Sequence, residues 1–240
     1  MSAPRDRGSL VLVPNLLGAV PPAHVLPART IDIARAIDHW VVETPKAARA
    51  FLKSLGHPRA IAELSIRTLD AKASASELSA LLAPANAGHA VGFASDAGAP
   101  AVADPGAALV AAAHAAGIPV VPLVGPSAIL LALMASGLSG QSFAFHGYLP
   151  VREGERASRL RELEADSRAH ARTQLFIETP FRNAAMLATL VSTLSPRTRL
   201  AVAVDLTLHT ESVASRPIAA WRGVDLAAWQ RRPAIFLFQA

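Results

Sequence analysis

The chain has no cysteine among its 240 residues, which excludes disulfides, thiolate metal sites and a cysteine nucleophile. Aromatic residues make up only 5%, so there is little material for stacking nucleic-acid bases on side chains. The first apolar segment runs into V-P-N-L-L-G rather than G-x-G-x-x-G, and no G-x-x-x-x-G-K-[ST] occurs. A Rossmann dinucleotide site and a P-loop are thereby disfavoured. The absence of G-x-S-x-G removes the serine-hydrolase elbow. The eight histidines are scattered, with no pair at metal-ligand spacing.

Charge is missing over a long stretch as well. From Pro105 to Val151 there is no Asp, Glu, Lys or Arg. Pro119, Pro122 and Pro126, with Gly117 and Gly125, interrupt its first half. The unbroken part, residues 127–138, is about 12 residues long where a membrane span needs about 20. It reads as a buried core helix, and no membrane association is expected. Residues 1–9 are polar and basic and carry no signal-peptide pattern. Together with the missing cysteines, this makes a cytoplasmic location the expectation.

What is present is the composition of a folded globular protein, 52% hydrophobic and 17% charged, and 240 residues suffice for one large or two modest α/β domains. A net charge of +5 and a pI near 10.6 favour an anionic partner. In residues 152–168, however, Arg152, Arg156, Arg159, Arg161 and Arg168 alternate with Glu153, Glu155, Glu162 and Glu164. That pattern reads as a solvated helix face with pairs one turn apart.

Short apolar runs alternate with helical patterns. Strands are expected at 10–13, 40–43, 60–66, 90–94, 118–123, 143–149, 174–178, 200–206 and 234–238. Helices are expected at 29–38, 45–55, 76–82, 105–116, 127–137, 154–170 and 181–194. Thr44 and Pro45 read as an N-cap and first helical position, and Gly56 as the stop. The alternation predicts a mainly parallel α/β protein, with a mixed sheet in its strand-richer second half. Two α/β domains are expected, 1–123 and 124–240.

The most informative stretch is S-D-A-G-A-P-A-V-A-D-P-G from Ser95 to Gly106, followed by V-G-P-S at Val124. It follows a strand and precedes a helix, which in open α/β sheets is where ligands bind. Gly98 and Gly106 would let the backbone approach a ligand closely. Asp96 could accept hydrogen bonds from ligand hydroxyl or amino groups, and Asp104 and Ser127 could cap helices.

This loop and V-P-L-V-G-P-S-A resemble the signature of the tetrapyrrole methylase superfamily of S-adenosylmethionine-dependent enzymes. The similarity extends to L-V-L-V-P-N-L-L-G, E-T-P-K at Glu43, G-Y-L-P at Gly147, I-E-T-P-F-R at Ile177 and V-D-L-T at Val204. It is greatest to the branch that methylates a cytidine ribose 2′-oxygen in small-subunit ribosomal RNA. The resemblance implies a homodimer of two-domain α/β chains with S-adenosyl-L-methionine in the interdomain cleft. It implies cofactor contacts at Leu16, Asp96, Ala99, Ser127, Ala128, Ile177, Asp205, Pro233 and Ala234. The chain departs from the branch pattern at several points. Asn15-Leu16-Leu17-Gly18 stands for T-P-I-G-N, Thr44-Pro45-Lys46 for D-T-R, Val204 to Leu208 lacks two basic residues, and Arg232-Pro233 replaces G-E.

For a ribose hydroxyl acceptor, a general base or a polarising cation should sit within hydrogen-bond reach. Glu43, Glu178 and Asp205 are the candidate catalytic residues, and Lys46 and Arg182 the candidate phosphate holders. Methylation of a tetrapyrrole or other small molecule, and a cofactor-binding relative without catalysis, are the alternatives.

Overall fold

A computed structural model describes residues 8–224, 229 and 231–240. The chain divides into two compact units, Met1–Ser127 and Ala128–Ala240. The first is built on five strands, β1 (Leu10–Leu12), β2 (His39–Val42), β3 (Ser65–Thr68), β4 (Val91–Ala94) and β5 (Val120–Pro122). All pair in parallel, in the order β3-β2-β4-β1-β5. The connecting helices are α1 (Ala28–Arg35), α2 (Pro45–Leu55), α3 (Ala75–Leu81), α4 (Ala83–Asn86) and α5 (Gly106–Ala115).

Successive strand residues face opposite sides, and here both sides are covered. Val11, Trp40 and Val42 pack with Phe51, Leu52 and Leu55 of α2. Leu10, Val41, Val91 and Phe93 pack with Leu78, Leu82 and Leu109 of the other helices. Covering on both faces is why these strands read as continuous apolar runs. Because the strands are parallel, the loops after β1, β2, β4 and β5 all leave the same edge of the sheet.

The second unit holds α6 (Ala128–Ser136), β6 (Phe143–Tyr148), α7 (Glu153–His170), β7 (Thr173–Glu178), α8 (Asn183–Thr193), β8 (Arg199–Val204), β9 (Ser212–Pro217) and β10 (Ala234–Gln239). Its sheet order is β6-β7-β10-β8-β9. The β6–β7 pair is parallel and the others antiparallel, so the expected mixed sheet is present. Phe176, Phe236 and Phe238 meet Leu160, Met186 and Leu190 on one face. The alternate residues Ala201, Ala203, Ile235 and Leu237 are also buried, and α6 lies against β8, β9 and β10.

Three expectations change. The strand expected at 60–66 is a 3-10 turn at Ile61–Glu63 followed by β3, because β3 begins only where Ser65 meets His39 of β2. The helix α6 is apolar all round but not fully buried. The sheet covers one side, leaving Leu130 52% and Met134 78% exposed. Gly106 serves internal packing rather than ligand approach, since a Cβ there would lie 2.0 Å from the Phe93 ring.

Gly106→Ala should therefore cost about 1–3 kcal/mol through overpacking. Urea denaturation should show a lower midpoint with an unchanged slope.

Candidate active site

In the first unit the loops at the carboxyl edge of the sheet are tied together through Asn15. Its Nδ2 donates to the carbonyls of Ser95 (2.9 Å) and Asp96 (3.1 Å), and its Oδ1 accepts from the Leu16 amide at 2.8 Å. Its backbone exchanges hydrogen bonds with Gly98, N to O in both directions, at 2.9 and 3.2 Å. Asn15 is itself buried. Gly98 adopts a φ of 71°, which a side chain would strain, and Leu17 Cδ2 lies 3.1 Å from where its Cβ would be.

The loop is fastened on its other side to the end of β2. Both oxygens of Asp96 accept from Thr44, Oδ1 from the amide at 3.1 Å and Oδ2 from the hydroxyl at 2.7 Å. The Asp96 amide in turn donates to Glu43 Oε2 at 3.1 Å. Thr44 occupies the expected N-cap position of α2, but its side chain makes no capping bond. The hydroxyl is taken by Asp96 instead. A cap of this kind is worth about 1 kcal/mol to a helix, and the chain forgoes it to hold the loop.

Further along, Ala101 and Ala103 both have a φ of 64°, a left-handed conformation uncommon outside glycine. Asp104 Oδ1 accepts from the amides of Ala101 (3.1 Å) and Gly106 (2.7 Å). It thus turns the chain and supports the start of α5. Burial pushes the Asp104 carboxyl above its ordinary value, against the pull of those amides. Leu16 and Ala99 are half-buried beside this loop, Lys46 is exposed on α2, and Ser127 and Ala128 are half-buried at the head of α6.

The second unit gathers its own set at one end of its sheet. Ala234 pairs with Glu178 on one side and Val204 on the other. Ile177, Glu178, Asp205, Pro233 and Ala234 therefore share one end, and the Asp205 amide donates to Pro233 O at 3.0 Å. Two ion pairs stiffen that end. Glu178 Oε1 accepts from Arg182 Nε (2.9 Å) and Nη2 (2.6 Å) and from the Thr179 amide (2.6 Å). Asp205 Oδ2 accepts from Arg232 Nε at 2.8 Å and from the Thr210 hydroxyl at 2.7 Å. Backbone strain accompanies them, with φ of 50° at Asp205 and 73° at Thr207. For a β-branched residue such a value is an outlier, and strain of this kind concentrates at functional sites.

The Tetrapyrrole (Corrin/Porphyrin) Methylases model matches residues 25–220. The chain belongs to the tetrapyrrole methylase family. Within it, the chain is 30% identical over 228 residues to ribosomal RNA small subunit methyltransferase I of Escherichia coli O157:H7, covering 95% of this chain and 74% of that protein. The Mycobacterium tuberculosis protein of the same name is 37% identical over 82% of this chain and 68% of that one. The Mesorhizobium japonicum protein is 43% identical over 55% of this chain, a stretch that is 44% of its own length. Among solved structures, the methyltransferase CobJ has a TM-score of 0.64 at 19% identity, covering 97% of this chain and 95% of that chain. Uroporphyrin-III-C-methyltransferase from Thermus thermophilus has a TM-score of 0.56 at 20% identity, covering 97% and 92%. These two share the fold of this methyltransferase.

Two residues that organise this tetrapyrrole methylase escaped the sequence reading. In the sequence Asn15 stands out only as a departure from the branch pattern in the first loop. Its signal was a lone amide side chain at a strand terminus, where an unpaired loop needs a donor and an acceptor at once. Asn183 gave no signal at all. It is buried at the start of α8 and donates from Nδ2 to the carbonyls of Trp229 (3.0 Å) and Arg232 (2.7 Å), the latter directly ahead of Pro233 and Ala234.

Thr44→Val should release the loop on the β2 side. The loss of one hydroxyl bond to a carboxylate, about 1.5 kcal/mol, should lower hydrogen-exchange protection of the Asp96 and Gly98 amides about tenfold, and Thr44→Ser should restore it.

Proposed function

We propose that the chain transfers a methyl group from S-adenosyl-L-methionine to RNA, at a ribose 2′-oxygen of the small ribosomal subunit. The observation that carries this reading is the tied loop of the first unit, which places Asp96, Glu43 and closely turned backbone at the carboxyl edge of a parallel sheet. Those acceptors suit the cofactor: carboxylates and carbonyls for its hydroxyls, its amine and its positive sulfur. Leu16, Asp96, Ala99 and Ser127 would hold it from the first unit. In the second unit, Ala128, Ile177, Asp205, Pro233 and Ala234 remain the cofactor positions that the family resemblance implies. The names of the relatives support an RNA acceptor, and a ribosomal acceptor is consistent with a cytoplasmic enzyme.

When bound, the cofactor supplies an electrophilic methyl carbon on a sulfonium sulfur. The chain has then to align the acceptor hydroxyl, a contribution of up to about 7–11 kcal/mol, and to receive its proton. We assign the proton to Glu43. It is half-exposed, and its one hydrogen bond among the described residues is to the Asp96 amide. Glu178 and Asp205 are each bound to an arginine, which suits them to holding the fold of the second unit's site. Lys46 stays available to a phosphate, whereas two donors of Arg182 are spent on Glu178.

A homodimer is part of the same proposal. The charge-free helix α6, with Leu130 and Met134 exposed one turn apart, supplies an apolar face of the kind that interfaces cover.

Small ribosomal subunits from a strain lacking this protein, incubated with it and methyl-labelled cofactor, should acquire label on a ribose 2′-oxygen, located by mass spectrometry. Cofactor binding without label in RNA would sink the RNA reading. Met134→Lys should shift the protein from dimer to monomer in sedimentation; a monomeric parent would remove the dimer.

A further inference from the structure

The helix that begins at Thr44 carries an unclaimed row of cations. On α2, Lys46, Arg49 and Lys53 are all exposed. At 100° per residue they fall within about 60° of one another, over about 10 Å of helix. The opposite side holds Ala48, Phe51, Leu52 and Leu55, all buried. The helix contains no acidic residue, and no side chain of the three has a hydrogen-bond or ion-pair partner among the described residues. The contrast is α7, where Arg152, Arg159 and Arg168 each face a glutamate one turn away, at 3.2, 2.9 and 3.9 Å. The positive charge of α7 is neutralised locally; that of α2 is not. Lys46 also stands in the first helical turn, where the helix dipole disfavours a cation. Helix stability therefore gives no reason for it.

The row starts beside the loop that holds Asp96 and runs away from it. We propose that Lys46, Arg49 and Lys53 form a track for successive phosphates of the RNA strand whose ribose is presented at that loop. The inference rests on the RNA reading above and adds Arg49 and Lys53 to the substrate surface. Its role is sequence-independent: phosphate contacts set register and orientation, while base contacts specify. A track of charges also suits a chain with few aromatics, since it needs no stacking platform. An anionic membrane is the less favoured partner. Amphipathic membrane helices insert their apolar face, and here Phe51, Leu52 and Leu55 are 4%, 0% and 2% exposed within the core.

The test is the salt dependence of binding to single-stranded polyuridylate. Each phosphate contact contributes about 0.7 to the slope of log affinity against log salt. The double variant Arg49→Gln/Lys53→Gln should lower the slope by about 1.4 while cofactor affinity and melting temperature hold. Arg152→Gln/Arg159→Gln removes the same net charge from α7 and should leave the slope near that of the parent. A parent that binds cofactor but no RNA defeats the RNA reading itself. A parent that binds RNA, with the α2 variant keeping the full slope or the α7 variant losing as much, defeats the track alone. Capture by phosphatidylglycerol vesicles that the α2 variant abolishes, with the RNA slope intact, would assign the row to a membrane.

Discussion

The carboxamide of Asn15 is the interaction on which the first unit's candidate site depends. A glycine- and proline-rich loop has no ladder of its own, so its carbonyls need donors from elsewhere. Asn15 provides two such bonds, to Ser95 and Asp96, while its backbone bridges Gly98. With that side settled, Thr44 and Glu43 fix the other, and the Asp96 carboxylate is held in one orientation. Each bond is worth only about 1 kcal/mol net. Their value lies in preorganisation: a loop already in place costs little ordering on binding.

The second unit reaches rigidity by ion pairing. Two positions at which the chain departs from its branch pattern meet here. The segment around Asp205 lacks the usual basic residues, and the segment before β10 has Arg232 in place of G-E. Arg232 pairs with Asp205, so the charges at this end are rearranged as a set. Glu178 at the end of β7 and Arg182 in the 3-10 turn that follows form the second pair. Both carboxylates are largely buried, and removing either arginine would strand a buried charge, which is costly.

The architecture was legible because periodicity and turn chemistry agreed. In α2, Pro45 opens the helix, the apolar positions fall on one side, and Gly56 closes it with a left-handed φ of 70°. The position of the Ser95–Gly106 loop after a strand and before a helix was equally plain. What could not be read were interactions between residues far apart in the chain. Thr44 was correctly placed at a helix start, but nothing local shows that residue 96 would claim its hydroxyl. The exposure of Met134 was hidden for a similar reason: an all-apolar helix reads as buried, and only the sheet shows which side is covered. The pairing of Arg232 with Asp205 crosses two antiparallel strands whose register the sequence does not state.

The strand order of the first unit has a consequence for synthesis. The earliest of this sheet's five strands in chain order, β1, is an interior strand whose two neighbours are β4 and β5; Leu10 pairs with Val91 and with Val120. Early on the nascent chain, β1 has no partner to pair with, and its closure carries the entropy of long loops. Such non-local pairing slows folding. The Asn15 pin inherits the delay, because its acceptors at Ser95 and Asp96 are made some eighty residues later. The pinned loop is thus among the last features of this unit to form, since its fastening waits until nearly the whole first sheet has emerged.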